Sequence, residues 1–236
     1  MPPRGAGRML RGMKTLPVLL AALCLLTACR RSVPPVASDA WDHTLPAAAV
    51  ARVCAEAHGI KAWDKVESIS YTFNAKLGGQ SVSRAWTWEP KADRVTSHAD
   101  NVTYTRDQAA AHAAIDANFI NDRYWLLFPF HLLWDKVTLD VAAEPEPLPV
   151  GDGMGRRLTV TYPADGGYTP GDAYDLYLDT DGAVLAWVFR KGNQSEPSRM
   201  AEWTDVQEIE GLRISVNRPG PDPETFRVWF SGLRVE

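Results

Sequence analysis

The sequence predicts an α+β domain built on a curved antiparallel sheet of about ten strands, an incomplete barrel with helices across its concave face. Apolar and polar residues alternate with a period of two through many short stretches divided by Gly, Pro, Asn and Asp, the pattern of half-buried antiparallel strands. Two stretches carry helical spacing instead, one ahead of the strands and one in their midst. The second runs into residues 121–135, where ten of fifteen residues are apolar or aromatic. A bilayer span needs about 20 consecutive apolar residues, so this segment is too short to cross one and must be covered by the strands on either side.

Residues 1–28 read as a secretory signal. Arg4, Arg8, Arg11 and Lys14 form a basic n-region, residues 16–26 an apolar h-region, and Leu26-Thr-Ala-Cys29 has the order of a bacterial lipobox. Small side chains at the cut suit the peptidase, and the bulky Leu23 disfavours Cys24 as the alternative. Cys29 is the expected lipidation site, and its acyl chains the expected hold on the membrane. Residues 29–44, with Pro34-Pro35 and little to pack, read as a lipidated tether. Arg30, where a retention aspartate would sit, favours the outer membrane, with the domain facing the periplasm. Removing the signal takes away four basic and no acidic residues, which moves the net charge from −4 to −8. An acidic domain with no basic run is a poor partner for nucleic acid. Cys54 is then left without a disulfide partner and reads as a small buried hydrophobe.

Residues 45–236 form one domain. A helix is expected over residues 46–63, with Pro46 in its first turn and Val50, Val53, Cys54, Ala57 and Ile60 as its apolar stripe; Gly59 marks a break or cap. Strands follow over 66–75, where Ile69, Tyr71, Phe73 and Ala75 share a face, and over 80–88, where Val82, Trp86 and Trp88 do. Short strands at 93–97 and 101–105 complete an antiparallel meander. The second helix runs from 106 to about 128, ending or bending because Pro129 drives its predecessor out of the helical region, with 130–134 a further short turn. A strand at 137–141, a loop over 142–155, and strands at 157–162, 172–179, 183–190, 198–207, 212–217 and 225–235 finish the chain. Asp181-Gly182 fits the tight turn of the clearest hairpin.

No motif for chemistry emerges. The five histidines form neither HExxH nor a Cys/His pair at metal-ligand spacing. Asp179-Thr-Asp-Gly182 is a fragment of a calcium loop without its bidentate glutamate. The glycines of 151–155 lead into a strand, not into the helix N-terminus a phosphate needs. A G-x-S-x-G elbow is absent. The expectation is a protein with no cofactor, no metal and no enzymatic activity.

Aromatic residues are the unusual feature. Nine tryptophans occur, eight of them after residue 60, and large aromatics on a curved sheet suit an apolar cavity with few polar anchors. The expected ligand contacts are Tyr71, Phe73, Trp86 and Trp88 on the strands with Trp125, Phe128, Phe130 and Trp134 in the apolar segment. The order of elements and the lipobox resemble the LolA/LolB-like group of bacterial envelope proteins. So do Ala57-His-Gly59 with Trp63, Tyr124-Trp-Leu-Leu127 with Pro129, and Thr169-Pro-Gly-Asp-Ala-Tyr-Asp-Leu-Tyr-Leu-Asp179. Those stretches are more similar to lipoproteins of that fold than to the carriers themselves. The resemblance implies ten to eleven strands in an incomplete barrel, helices over a hydrophobic cavity, and no catalytic residues. The soluble carrier of that group is not lipidated, so a lipobox departs from it. The expected function is a membrane-anchored lipoprotein that binds an acyl chain, a lipid or a lipoprotein in the envelope. The rival expectation is an assembly or scaffold lipoprotein whose interior is filled.

Overall fold

The computed structural model describes residues 42–236. The expected signal peptide, Cys29 and nearly all of the expected tether lie outside the described residues. Helix α1 covers Ala47–Ala57, entered from an extended Pro46, and buries Val50, Ala51, Cys54 and Ala55. It is shorter than the helix expected over 46–63, because Gly59 adopts a left-handed conformation (φ 88°) and the chain continues as a 3-10 turn over Ile60–Lys65. Only glycine fits there, since a Cβ would stand 2.1 Å from the Gly211 carbonyl oxygen. Burial pushes the Cys54 thiol far above its ordinary pKa, as befits a packed and unreactive side chain.

The meander follows as β1 (Ile69–Leu77), β2 (Gln80–Glu89), β3 (Arg94–Ser97) and β4 (Val102–Thr105). Thr105 and Gln108 form a reciprocal capping box that opens a 3-10 turn, and helix α2 then spans Ala113–Trp134. Strands β5 (Thr138–Pro147), β6 (Met154–Thr161), β7 (Ala173–Leu178), β8 (Val184–Arg190) and β9 (Arg199–Glu202) come next. Strands β10 (Thr204–Ile209), β11 (Leu212–Pro219) and β12 (Phe226–Val235) close the chain.

The α+β class holds, but the single sheet of ten to eleven strands is replaced by two antiparallel sheets. One has seven strands in the order β10-β11-β12-β1-β2-β3-β4 and the other five in the order β5-β6-β7-β8-β9, and neither closes into a barrel. The stretch expected as one strand over 198–207 supplies an edge to each sheet. Met200 and Ala201 pair with Val188 and Trp187, whereas Thr204 and Val206 pair with Asn217 and Ser215. The change of partner falls at Trp203, whose amide still bonds Leu185 while its ring is buried against the Arg218 guanidinium at 3.7 Å. Strand β5 also continues past residue 141 through a bulge between Val141 and Pro145, where the sequence suggested a loop.

Helix α2 lies against the inner faces of both sheets and changes character along its length. Its backbone leaves the helical region at Leu127 (φ −117°, ψ 23°). Pro129 is the cause: it has no N–H for the Trp125 carbonyl and its ring crowds that turn, so the helix kinks rather than ends. Around and beyond the kink every residue from 126 to 132 is buried, as expected of a helix that is apolar all round.

Candidate functional site

Before the kink, Ala117, Ile120, Asn121, Tyr124 and Trp125 fall at the i, i+3, i+4, i+7, i+8 spacing of a single helix face, and this face borders a cavity of about 500 Å³. The facing walls come from alternate residues of both sheets. Phe73, Ala75 and Leu77 of β1 and Phe226 and Val228 of β12 form one side; Tyr174 of β7 and Trp187 and Phe189 of β8 form the other. The Trp125 ring lies 4.3 Å from that of Trp187 and 6.1 Å from that of Phe226, so it joins the two apolar clusters of the core. The volume lies within the roughly 300–1,000 Å³ of small-ligand sites, and the lining is mostly apolar with a few polar groups at fixed places.

Those polar groups are held by bonds across the fold. Asp122 is completely buried and accepts bonds from Arg84 Nε at 2.7 Å, Arg84 Nη2 at 2.5 Å and Trp86 Nε1 at 2.9 Å. The bidentate pair pins α2 to β2 and sets the Arg84 guanidinium at the cavity, 5.0 Å from the Phe73 ring. Arg199 lies over Phe226 at 5.6 Å at another part of the wall. The loop between β6 and β7 forms a further side: Tyr168, 57% exposed, donates its hydroxyl to Asp116 Oδ2 at 2.6 Å. Asp116 is itself buried and also receives the Tyr104 hydroxyl and the Arg106 guanidinium. Burial pushes the Tyr174 hydroxyl up to about 12, so it stays a neutral donor or acceptor at the wall.

A second cleft, of about 440 Å³, lies on the other flank of the same helical segment. Ile120, Tyr124, Tyr168 and Thr169 border both spaces. Arg106, Arg123, Trp134, Asp135, Lys136, Tyr162 and Asp165 line the second alone. Asp135 Oδ2 accepts from His131 Nδ1 at 2.9 Å and from the Tyr162 hydroxyl at 2.6 Å, and Tyr124 donates to Tyr162 in turn. Burial draws the Asp135 carboxyl upward, but the bonds from His131 and Tyr162 outweigh it and hold the group below the ordinary carboxylate range. The Arg123 guanidinium lies 4.8 Å over the Trp88 ring, and burial lowers its pKa. Among the described residues no group of three or more His, Cys, Asp or Glu side chains is placed to hold a metal ion, and no helix is long and apolar enough to cross a membrane.

The eight expected ligand contacts divide. Phe73 and Trp125 line the cavity, and Trp134, 37% exposed, lines the second cleft. Phe130 lies against Trp63 and Trp134 and borders only a void of about 10 Å³, the room of about one water molecule. Tyr71, Trp86, Trp88 and Phe128 are buried in the core and border none of these spaces: Tyr71 against Phe230, Trp86 and Trp88 against Phe119, Phe128 between Tyr124 and Tyr174. The sequence reading missed Tyr174, Trp187, Phe189 and Phe226. Trp187 and Phe189, two apart on one strand and stacked at 6.2 Å, carried a usable signal, since such a pair shares a sheet face.

No protein-family model matches this chain, and no curated protein does. Solved structures similar to it include these two. One is a DUF1329 family protein from Desulfovibrio piger, 13% identical, with 82% of this chain and 94% of that one covered and a TM-score of 0.46. The other, from Vibrio parahaemolyticus, is described as an outer membrane lipoprotein-sorting protein domain; it is 13% identical, with 79% and 93% covered and a TM-score of 0.41. At that identity and overlap neither protein's role transfers to this chain.

Proposed function

We propose that this protein binds an acyl chain, lipid or lipoprotein in the bacterial envelope, held at the membrane through acylated Cys29, and that it works by binding rather than by catalysis. The observation that carries the reading is the aromatic cavity between α2 and the two sheets. Protein interiors pack to about the density of organic crystals and leave few voids larger than a water molecule. A space of about 500 Å³ lined by Phe73, Trp125, Trp187 and Phe226 is far beyond a packing defect. Apolar surface left facing water there gains roughly 25 cal/mol for each Å² that an apolar ligand covers. A filled core, as a scaffold protein would have, lacks such a space.

The neutral fluorophore N-phenyl-1-naphthylamine tests the cavity. It is expected to bind the purified chain and to be displaced by methyl oleate. A folded protein that shows neither response is a scaffold and not a carrier. The anchor has its own test, because Cys29→Ala removes the one thiol in the lipobox that takes the lipid. The variant is expected to move from the detergent phase to the aqueous phase on partitioning of cell extracts; unchanged partitioning refutes the anchor.

A further inference from the structure

We propose that the cleft beside Arg123 is an anion subsite, and that the natural occupant is an amphiphile with its carboxylate or phosphate head at Arg123 and Lys136 and its chain in the aromatic cavity. The proposal rests on the apolar-ligand reading of that cavity and adds the chemistry of the head group. Arg123 projects from α2 into the cleft and stacks on Trp88 at 4.8 Å and Phe119 at 5.6 Å. Its Nε is buried with no hydrogen-bond partner among the described residues. None of the ion pairs within 4.0 Å among the described residues involves Arg123 or Lys136, the next cation along the cleft wall. A sequestered guanidinium with an unused donor is costly until an anion pairs with it.

The other charges of the cleft are already engaged or stand apart. Arg106 is paired with Asp116; Asp135 accepts from His131 and Tyr162, and its charge also acts on Arg123 without a direct ion pair between them. Asp165 is exposed on the Gly-rich loop. The groups of the α2 wall left without an ion-pair partner within 4.0 Å are cations, Arg123 and Lys136, and a guanidinium fork matches both carboxylate and phosphate oxygens. Ile120 and Tyr124, one turn apart on α2, and Tyr168 and Thr169 on the loop are common to both spaces, so the apolar and cationic compartments abut along one wall.

Fluorescence titration of the purified full chain with cis-parinaric acid and with its methyl ester tests this. At low salt the acid is expected to bind about tenfold tighter than the ester, the scale of one charge-assisted hydrogen bond, and the gap is expected to narrow as salt is raised. Arg123→Gln is expected to bring the acid down to the level of the ester while leaving ester binding unchanged, which also shows that the variant is folded. Arg123→Lys is expected to keep part of the preference. Displacement of the acid by oleate identifies a carboxylate head and by dioleoylphosphatidic acid a phosphate head, either of which supports the subsite if methyl oleate competes less well. Equal affinity of acid and ester, or an Arg123→Gln loss shared by both, overturns the subsite and leaves the apolar cavity standing. Failure of both probes to bind the parent chain refutes the cavity itself, and the subsite with it.

Discussion

The two halves of α2 are both rich in aromatic and aliphatic residues, yet only the first borders the aromatic cavity. Along residues 117–125, one face looks into the cavity while Asp116 and Asp122 fasten the helix to its surroundings from buried positions. Along residues 126–132 there is no solvent face at all; Phe128 packs against Tyr124 and Tyr174, and Phe130 against Trp63. The kink at Leu127 separates the two regimes. The difference teaches that aromatic content locates an apolar element but does not say whether its rings meet a ligand or one another. That is decided by which neighbours approach, and only the first half leaves room.

The sharpest way to break this comparison is to truncate one ring from the closed half. Phe128 is 1% exposed and borders none of the cavities. Phe128→Ala is expected to cost about 3–5 kcal/mol, because the lost transfer energy is joined by the cavity left behind. Affinity for N-phenyl-1-naphthylamine, measured on the folded fraction, is expected to stay within a factor of about two, given that the ring lies off the cavity wall. Denaturant melts read beside the titration check both; a cheap substitution that abolishes binding would move Phe128 to the ligand side.

Acid probes the closed half by another route. His58 donates from Nδ1 to the Cys54 carbonyl at 2.9 Å and borders the small void beside Leu126, Leu127, Pro129 and Phe130. Burial lowers its pKa to about 4, and Arg213 and Arg218 nearby push the same way. Burial lowers that of His131 as well. The folded pKa lies below the unfolded value of about 6.5, so the unfolded chain binds more protons between the two. Stability is therefore full above about pH 6.5 and falls as the pH drops toward 4. For His58 alone the loss approaches about 3 kcal/mol, taking about 1.4 kcal/mol per unit. Chemical denaturation from pH 7 to 4 is expected to show this slope and His58→Asn to flatten it. An unchanged slope in the variant would show that protonation of His58 does not loosen the core.

Much of the frame was legible in the sequence because its signals are local. The alternation of Ile69, Tyr71, Phe73 and Ala75 appears as a strand whose inward residues are all buried. The Asp181-Gly182 turn forms with Gly182 at φ 85° and Asp179 Oδ1 accepting from the Asp181 and Ala183 amides. Pro129 produced the bend that its chemistry requires. The division into two sheets was not legible, since β9 and β10 are continuous in pattern and only their partners differ. Nor was the site, because it depends on distant pairings: Asp122 meets Arg84 and Trp86 across 38 and 36 residues, and Tyr168 reaches Asp116 across 52. Trp125 and Phe128, three residues apart, are alike in sequence; a kink between them and the approach of Trp187 on one side and Tyr174 on the other sort them into wall and core.

That sorting makes the smallest expected loss of stability the most informative. Trp125 is only partly buried, with one side of its ring against Trp187 and Phe226 and another bordering the cavity. Atoms that face a void have no packing partners to lose there. Trp125→Ala is therefore expected to cost about 1–2 kcal/mol, clearly less than the 3–5 kcal/mol typical of a fully packed aromatic. Binding is expected to show the reverse order, with affinity for the apolar probe falling about tenfold or more, since ring area that covers a ligand contributes roughly 25 cal/mol per Å². The pair of variants crosses over: Phe128→Ala is costly to stability and mild in binding, Trp125→Ala mild in stability and costly to binding. Melts and titrations on the same two proteins decide it. Losses of equal size from both, with probe affinity intact, would make the whole of α2 ordinary core and leave the cavity without a ligand-facing wall.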